Sequence, residues 1–165
     1  MGAAEPEKED VMAAVPPIPP GYPRVTPYLA IEGAERALAF YVEVFGARER
    51  MRLPAPGGRI GHAEIEIGES VIMLADPWPE GKFVAPQGET ASVTIHLYVE
   101  DADAVFARAL ARGATVVQPM ETKFYGDRSG TLRDPFGHFW HVATHVEEVS
   151  PEELQRRMAA MQGGG

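Results

Sequence analysis

Apolar and polar positions alternate with the period of a strand from Val25 to Ile31, where Val25, Pro27, Leu29 and Ile31 stand against Thr26, Tyr28 and Ala30. Pro27 has no N–H to give a ladder, so this strand is predicted at an edge, or with that position turned away from its neighbour. The period then changes. Ala37, Leu38, Phe40, Tyr41, Val44 and Phe45 recur at helical spacing within 34–45, and Gly46 supplies a stop. Three strand-like runs follow, 48–53, 59–67 and 70–75, separated by the turn residues of 54–58 and by Gly68-Glu69. Beyond a proline- and glycine-rich stretch, 76–91, the order recurs: a strand over 93–99, a helix over 102–112 introduced by Asp101, and strands over 115–118, 130–133 and 139–144. Ser150 as cap and Pro151 at the first helical position open a last helix that runs to about Met161.

The recurrence is also visible in the residues. Val25-Thr26-Pro27-Tyr28-Leu29-Ala30-Ile31-Glu32 is answered 68 positions later by Val93-Thr94-Ile95-His96-Leu97-Tyr98-Val99-Glu100, and each copy leads into an alanine-rich helix ending on Gly46 or Gly113. The period is too long for a solenoid, which stacks several shorter units. It predicts a duplicated βαβββ module whose copies face each other across a pseudo-two-fold axis, with a cleft between them.

Composition narrows the class. The chain of 165 residues can bury a core without staples, and its hydrophobic content of 45% is that of a globular protein. With no cysteine, disulfides, thiolate metal sites and a cysteine nucleophile are excluded. No apolar run reaches the roughly 18 residues of a membrane span, and Val11–Val15 is too short for a signal-peptide core, so a cytoplasmic protein without a membrane partner is expected. The net charge of −9 argues against nucleic acid as partner. Three of those charges belong to residues 1–23 and two to residues 146–165, which leaves a core of −4 that only faintly favours cations. The proline cluster of residues 1–23 reads as a disordered leading segment. The domain is therefore 24–145, made of a first module (24–76), a linker (77–91) and a second module (92–145), and 146–165 form a terminal helix and flexible tail.

Ala39-Phe40-Tyr41 with Phe45-Gly46, the paired strand starts, and Asp134-Pro135-Phe136-Gly137-His138 together resemble the vicinal oxygen chelate superfamily of glyoxalase I, bleomycin-resistance proteins and extradiol dioxygenases. The stretch Phe124-Tyr125-Gly126-Asp127-Arg128-Ser129-Gly130 is similar to a small bacterial glyoxalase-like subgroup. The resemblance implies an α+β fold: two paired βαβββ modules forming a U-shaped, eight-stranded mixed sheet around a cleft, with helices on the convex face. It also implies a homodimer, over which the terminal helix, with Leu154, Met158 and Met161 on one stripe, would act as a strap.

Metal enzymes of that family take one ligand from the first strand and one from the last strand of each module. On this chain the four positions fall on Thr26, Met73, Thr94 and His141, with the same separation of 47 in each module. Thr and Met are poor donors for Zn, Ni or Fe, so the glyoxalase I metal site is expected to be lost, with no metal or other cofactor in its place.

Strand parity supplies the rest of the cleft wall. With Thr26 and Thr94 inward, Tyr28, Ala30, His96 and Tyr98 follow, as do Phe139 and Ala143 beside His141. Ala63, Ile65 and Ile67 suit the helix side, which leaves His62, Glu64 and Glu66 facing the cleft. Tyr125 and Arg128 are placed at its rim by the resemblance, and Trp78 becomes either a lid or an exposed ring. His138 and His145 are expected to be solvated. The ligand-binding set is thus Tyr28, His62, Glu64, Met73, His96, Tyr98, Tyr125, Arg128 and His141. Three uses of it stand side by side: binding a planar or aromatic organic molecule without transforming it, lyase- or dioxygenase-like chemistry with a cleft histidine as base, or a displaced metal site of His62, Glu64, His96 and His141.

Overall fold

The computed structural model describes residues 14–164. The first module comprises β1 (Tyr28–Ala30), α1 (Ala34–Phe45), β2 (Arg48–Ala55), β3 (Arg59–Ile67) and β4 (Ser70–Ala75). The second comprises β5 (Thr94–Tyr98), α2 (Ala102–Ala111), β6 (Thr115–Thr122), β7 (Asp127–Arg133) and β8 (Phe139–His145), and α3 (Pro151–Gln162) follows. Each module builds one mixed four-stranded sheet, in the orders β1-β4-β3-β2 and β5-β8-β7-β6. The first strand of each runs parallel to the last, and the remaining pairs are antiparallel. The eight strands thus form two four-stranded halves of one topology, not hydrogen-bonded into a closed whole.

Several boundaries differ from the periodicity for local reasons. β1 begins at Tyr28 because Pro27 offers only its carbonyl, which accepts from Met73 N at 2.9 Å. β6 runs on through Pro119 to Thr122, with register breaks after Val116 and after Gln118 that absorb the proline. β7 starts at Asp127, since Gly126 (φ 103°) makes the turn alone; a Cβ there would lie 2.2 Å from the Glu147 carbonyl oxygen.

The two modules start their helices by matched means. The Asp76 carboxylate at the end of β4 accepts from Gly33 N (3.0 Å), Ala34 N (3.4 Å) and Ile60 N (2.7 Å). In the second module Thr144 Oγ1 accepts from Ala102 N at 2.9 Å and donates to Val99 O at 2.8 Å, while Asp101 caps Ala104 N.

One apolar core serves both modules. Leu38, Tyr41 and Val44 of α1 and Ile65 and Leu74 of the first sheet are continuous with Phe106, Leu132, Trp140 and Val142 of the second module. Trp140 sits against Phe45 and Tyr41 with ring centroids 4.4 and 5.2 Å apart. Under these rings lies Asp134, buried and fully paired. It accepts from Tyr41 Oη (2.6 Å), Trp140 Nε1 (3.0 Å), and the backbone N–H groups of Phe136 and His138 (2.9 Å each). Burial, the strongest influence, and the neighbouring carboxylate push the Tyr41 hydroxyl well above its usual range, so it remains a donor. The Asp-Pro-Phe-Gly turn is therefore a structural tie between α1 and the second sheet. Because the helix-side faces of both sheets contribute to this core, the polar faces of the sheets are left for function.

Candidate functional site

Strand register places two equivalent rows of side chains across the polar faces. In the first sheet the row is Tyr28, Met73, Glu64 and Met51; in the second it is His96, His141, Thr131 and Gln118.

The first row carries a connected polar cluster. Glu64 is 3% exposed, with the Tyr22 hydroxyl 2.9 and 2.8 Å from its two oxygens. His62 Nε2 lies 3.1 Å from Glu64 Oε1, and Tyr28 Oη lies 2.6 Å from His62 Nδ1. The carboxylate takes Nε2–H, so in the neutral ring Nδ1 accepts the Tyr28 O–H. Arg50 stands 3.7 Å from Glu64 and 3.2 Å from Glu66, with its guanidinium 4.4 Å from the Tyr22 ring centre. Burial, the largest influence on Glu64, pushes its carboxyl up; the bonds from His62 and Tyr22 and the Arg50 charge outweigh it, and the group stays below the usual carboxylate range. Phe83 meets Tyr28 edge-on (5.1 Å between centroids), and Trp78, about half exposed, leans on Phe83 (4.9 Å).

The second row is open. His96 and His141 are register partners with ring centroids 4.8 Å apart. His141 Nδ1 is 2.7 Å from Thr131 Oγ1, which lies 3.2 Å from Gln118 Oε1. Burial, with the neighbouring His96 second, holds His141 below the usual imidazole range, so it is neutral near pH 7. A cavity of about 480 Å³ is lined by Ala91, Thr94, His96, Val117, Gln118, Tyr125, Thr131, Phe139 and His141. Beside it the Tyr98 ring packs on His96 (4.7 Å) and its hydroxyl donates to buried Asp127 (2.7 Å), which also holds His145 Nδ1 at 2.8 Å. That bond raises His145. Burial alone would raise Asp127, but His145 and Tyr98 together hold it low.

The residues expected from the sequence thus separate. His96, His141 and Tyr125 line the second-module cavity, with Tyr98 on its flank, while Tyr28, His62, Glu64 and Met73 belong to the first-module face. Arg128 lies elsewhere. It alternates with Asp127 along β7, and its guanidinium bonds both Asp103 oxygens (3.0 and 2.9 Å) beside α2. His138 is tied down, with Nε2 2.9 Å from the Ala30 carbonyl, and His145 bridges Asp127 and Glu148. Tyr22, Arg50, Thr131, Gln118 and Asp127 complete the two faces. Arg50, Gln118 and Thr131 lie on strands expected from the pattern and Asp127 in the Phe124–Gly130 stretch, while nothing marked Tyr22.

The donor set does not fit the family's metal. Thr26 and Met73 in the first module and Thr94 and His141 in the second provide no carboxylate and one imidazole, already engaged by Thr131. Nor are His62, Glu64, His96 and His141 gathered: among the described residues no three His, Asp or Glu side chains converge as a metal cage.

Residues 24–142 match the Glyoxalase/Bleomycin resistance protein/Dioxygenase superfamily, and the chain belongs to that family. An uncharacterized protein of Mycobacterium tuberculosis is 43% identical over 147 residues, spanning 87% of this chain and 86% of the relative. Among solved structures, TioX from Micromonospora sp. ML1 is similar at 30% identity and a TM-score of 0.58, covering 78% of this chain and all of TioX. The Arabidopsis thaliana gene product At5g48480 is similar at 27% identity and a TM-score of 0.61, covering 74% of this chain and 98% of its own. No helix among the described residues is long and apolar enough to cross a membrane.

Proposed function

We propose that this protein binds a small planar or aromatic organic molecule on the polar face of its second module, without glyoxalase I metal chemistry. The observation that carries this reading is the cavity of about 480 Å³ between His96, His141, Tyr125 and Phe139. Its size suits a small ligand, its rings offer flat apolar contact, and the Gln118 amide and Thr131 hydroxyl supply a few orienting polar groups. A second copy of the chain would cover this face. The half-exposed Tyr98 and the largely bare Val93 and Val25 support a homodimer, which light scattering tests directly: a mass of 17.9 kDa refutes it.

A second reading has its own support. His141 is neutral with one nitrogen committed to Thr131, the condition of a general base. A library of aromatic compounds screened by native mass spectrometry, followed by product analysis, separates the two. Recovery of unchanged ligand, with affinity falling about tenfold in Tyr125→Ala, supports binding alone. Products made by wild type and not by His141→Ala support catalysis. Full affinity in Tyr125→Ala together with His96→Ala overturns both.

A further inference from the structure

The first-module cluster lies outside that cavity and has a direction built into it. Its inner end is the buried Glu64 carboxylate, anchored by Tyr22 and Arg50. His62 occupies the middle with both ring nitrogens engaged. Tyr28 forms the outer end: its proton points to His62, and its side chain is 38% exposed, the most open of the three. The phenol oxygen therefore presents lone pairs outward and can only accept from a ligand. Donor, imidazole and orienting carboxylate within 2.6–3.1 Å are the arrangement by which a base is activated through a neighbour.

We propose that Tyr28, His62 and Glu64 form a proton relay that binds an aromatic hydroxyl compound and takes up its hydroxyl proton. The ligand O–H bond breaks and its proton forms a new O–H bond on Tyr28. The original Tyr28 proton passes in the same step to His62 Nδ1. The ligand is left as a phenolate and His62 as an imidazolium, whose Nε2–H stays on Glu64. No redox partner is needed. Tyr28 keeps a proton throughout, in accord with burial and the Glu64 charge both holding its hydroxyl above the ordinary phenol range. The Glu64 charge stabilises the imidazolium, and the other ionisable groups around it are Tyr22, Arg50 and Glu66.

The aromatic preference comes from the surroundings. Phe83 stands edge-on to Tyr28 with Trp78 behind it, and a cavity of about 340 Å³ is walled by Tyr28, Phe83, Pro27, Val93 and Phe139. A flat apolar body against Phe83 would bring a hydroxyl to the Tyr28 oxygen.

The probe is 4-nitrophenol, whose phenolate is coloured, added to the full chain at a pH where the free compound is mostly protonated. Wild type is expected to give a saturable phenolate absorbance. In His62→Gln and Tyr28→Phe the bound phenolate signal falls about tenfold or more, while Arg128→Gln, whose side chain lies elsewhere on Asp103, retains it. Absence of a saturable signal in wild type overturns the relay, as does a signal that survives His62→Gln or is lost only in His141→Gln. That last result would place the phenol in the second-module cavity. Nitrogen-15 spectra of the free wild-type protein test the same arrangement without any variant. A protonated Nε2 and bare Nδ1 on His62 are expected, and the opposite tautomer overturns the proposal.

Discussion

The two modules share one backbone plan and differ in what they put on it. At the row positions where the first sheet has Tyr28, Met73 and Glu64, the second has His96, His141 and Thr131. The carboxylate at the centre of the first row draws in Tyr22, His62 and Arg50, and the face closes on itself as a charged, hydrogen-bonded cluster. A hydroxyl at the equivalent place in the second row orients one imidazole, and that row keeps a cavity, with the Asp127–His145 pair set apart at the end of β8. A single exchange of carboxylate for hydroxyl thus separates a charged, hydrogen-bonded cluster from a row that keeps an open cavity. Duplication supplies two equivalent scaffolds, and their chemistry diverges at one or two central positions.

The strongest test of this comparison asks whether the modules are separate at all. Trp140→Ala, which empties the core they share, should cost about 3–5 kcal/mol, and urea unfolding should remain a single transition that removes both sheets together. Two resolved transitions would mean that the modules fold independently. Asp134→Ala comes next. It strands two buried side-chain donors and two backbone N–H groups that the first module, with Gly68-Glu69 in its corresponding turn, has no need to satisfy. A loss of roughly 3 kcal/mol in chemical denaturation is expected.

The helix caps offer a matched pair. Asp76→Ala and Thr144→Ala should each cost about 1 kcal/mol, with Asp76 the larger because it serves three N–H groups rather than one. Equal values would show that the two additional N–H groups on Asp76 add nothing.

The two histidines of β8 should titrate in opposite senses. His145, raised by Asp127, contributes stability that is complete below the ordinary imidazole value of 6.5 and is lost as pH climbs through its folded value. His141, lowered by burial, does the reverse: the unfolded chain takes up its proton first, so stability falls as pH drops below 6.5. Melting temperatures across this range for His145→Gln and His141→Gln should each flatten one side of the wild-type curve. The smallest effect belongs to Ser129, fully buried at the place equivalent to His62, whose hydroxyl has no partner among the described residues. Ser129→Ala should be neutral or stabilising by up to about 1 kcal/mol, measured by the same denaturation.

The topology was legible because it is written twice: two hydrophobic periods, repeated 68 positions apart, leave little choice of order. The facing of His62 and Glu64 was legible for a local reason, since Ala63 and Ile65 must turn to the helix. Arg128 was placed at the rim by the resemblance alone; β7 already includes Asp127, and the next residue along it, Arg128, bonds Asp103. Tyr22 was hidden among prolines, whose sequence gives no sign that one aromatic hydroxyl reaches a carboxylate 42 positions away. The separation of the site into two faces lay beyond any one-dimensional pattern. It depends on α1 packing against Trp140, a contact between modules that strand parity within a module cannot express.

That shared core has a historical consequence. A lone module of this kind would leave the Tyr41 and Phe45 side of its helix bare, so a half-length ancestor could persist only as a pair of chains, at the mercy of its own concentration. Joining two such units through the stretch from Asp76 to Val93 turns that association into an intramolecular one, with an effective concentration on the order of millimolar for a short tether. Once the pairing no longer depends on the abundance of the protein, the two halves are released from having to be identical, and one copy can drift toward new chemistry while the other keeps the old.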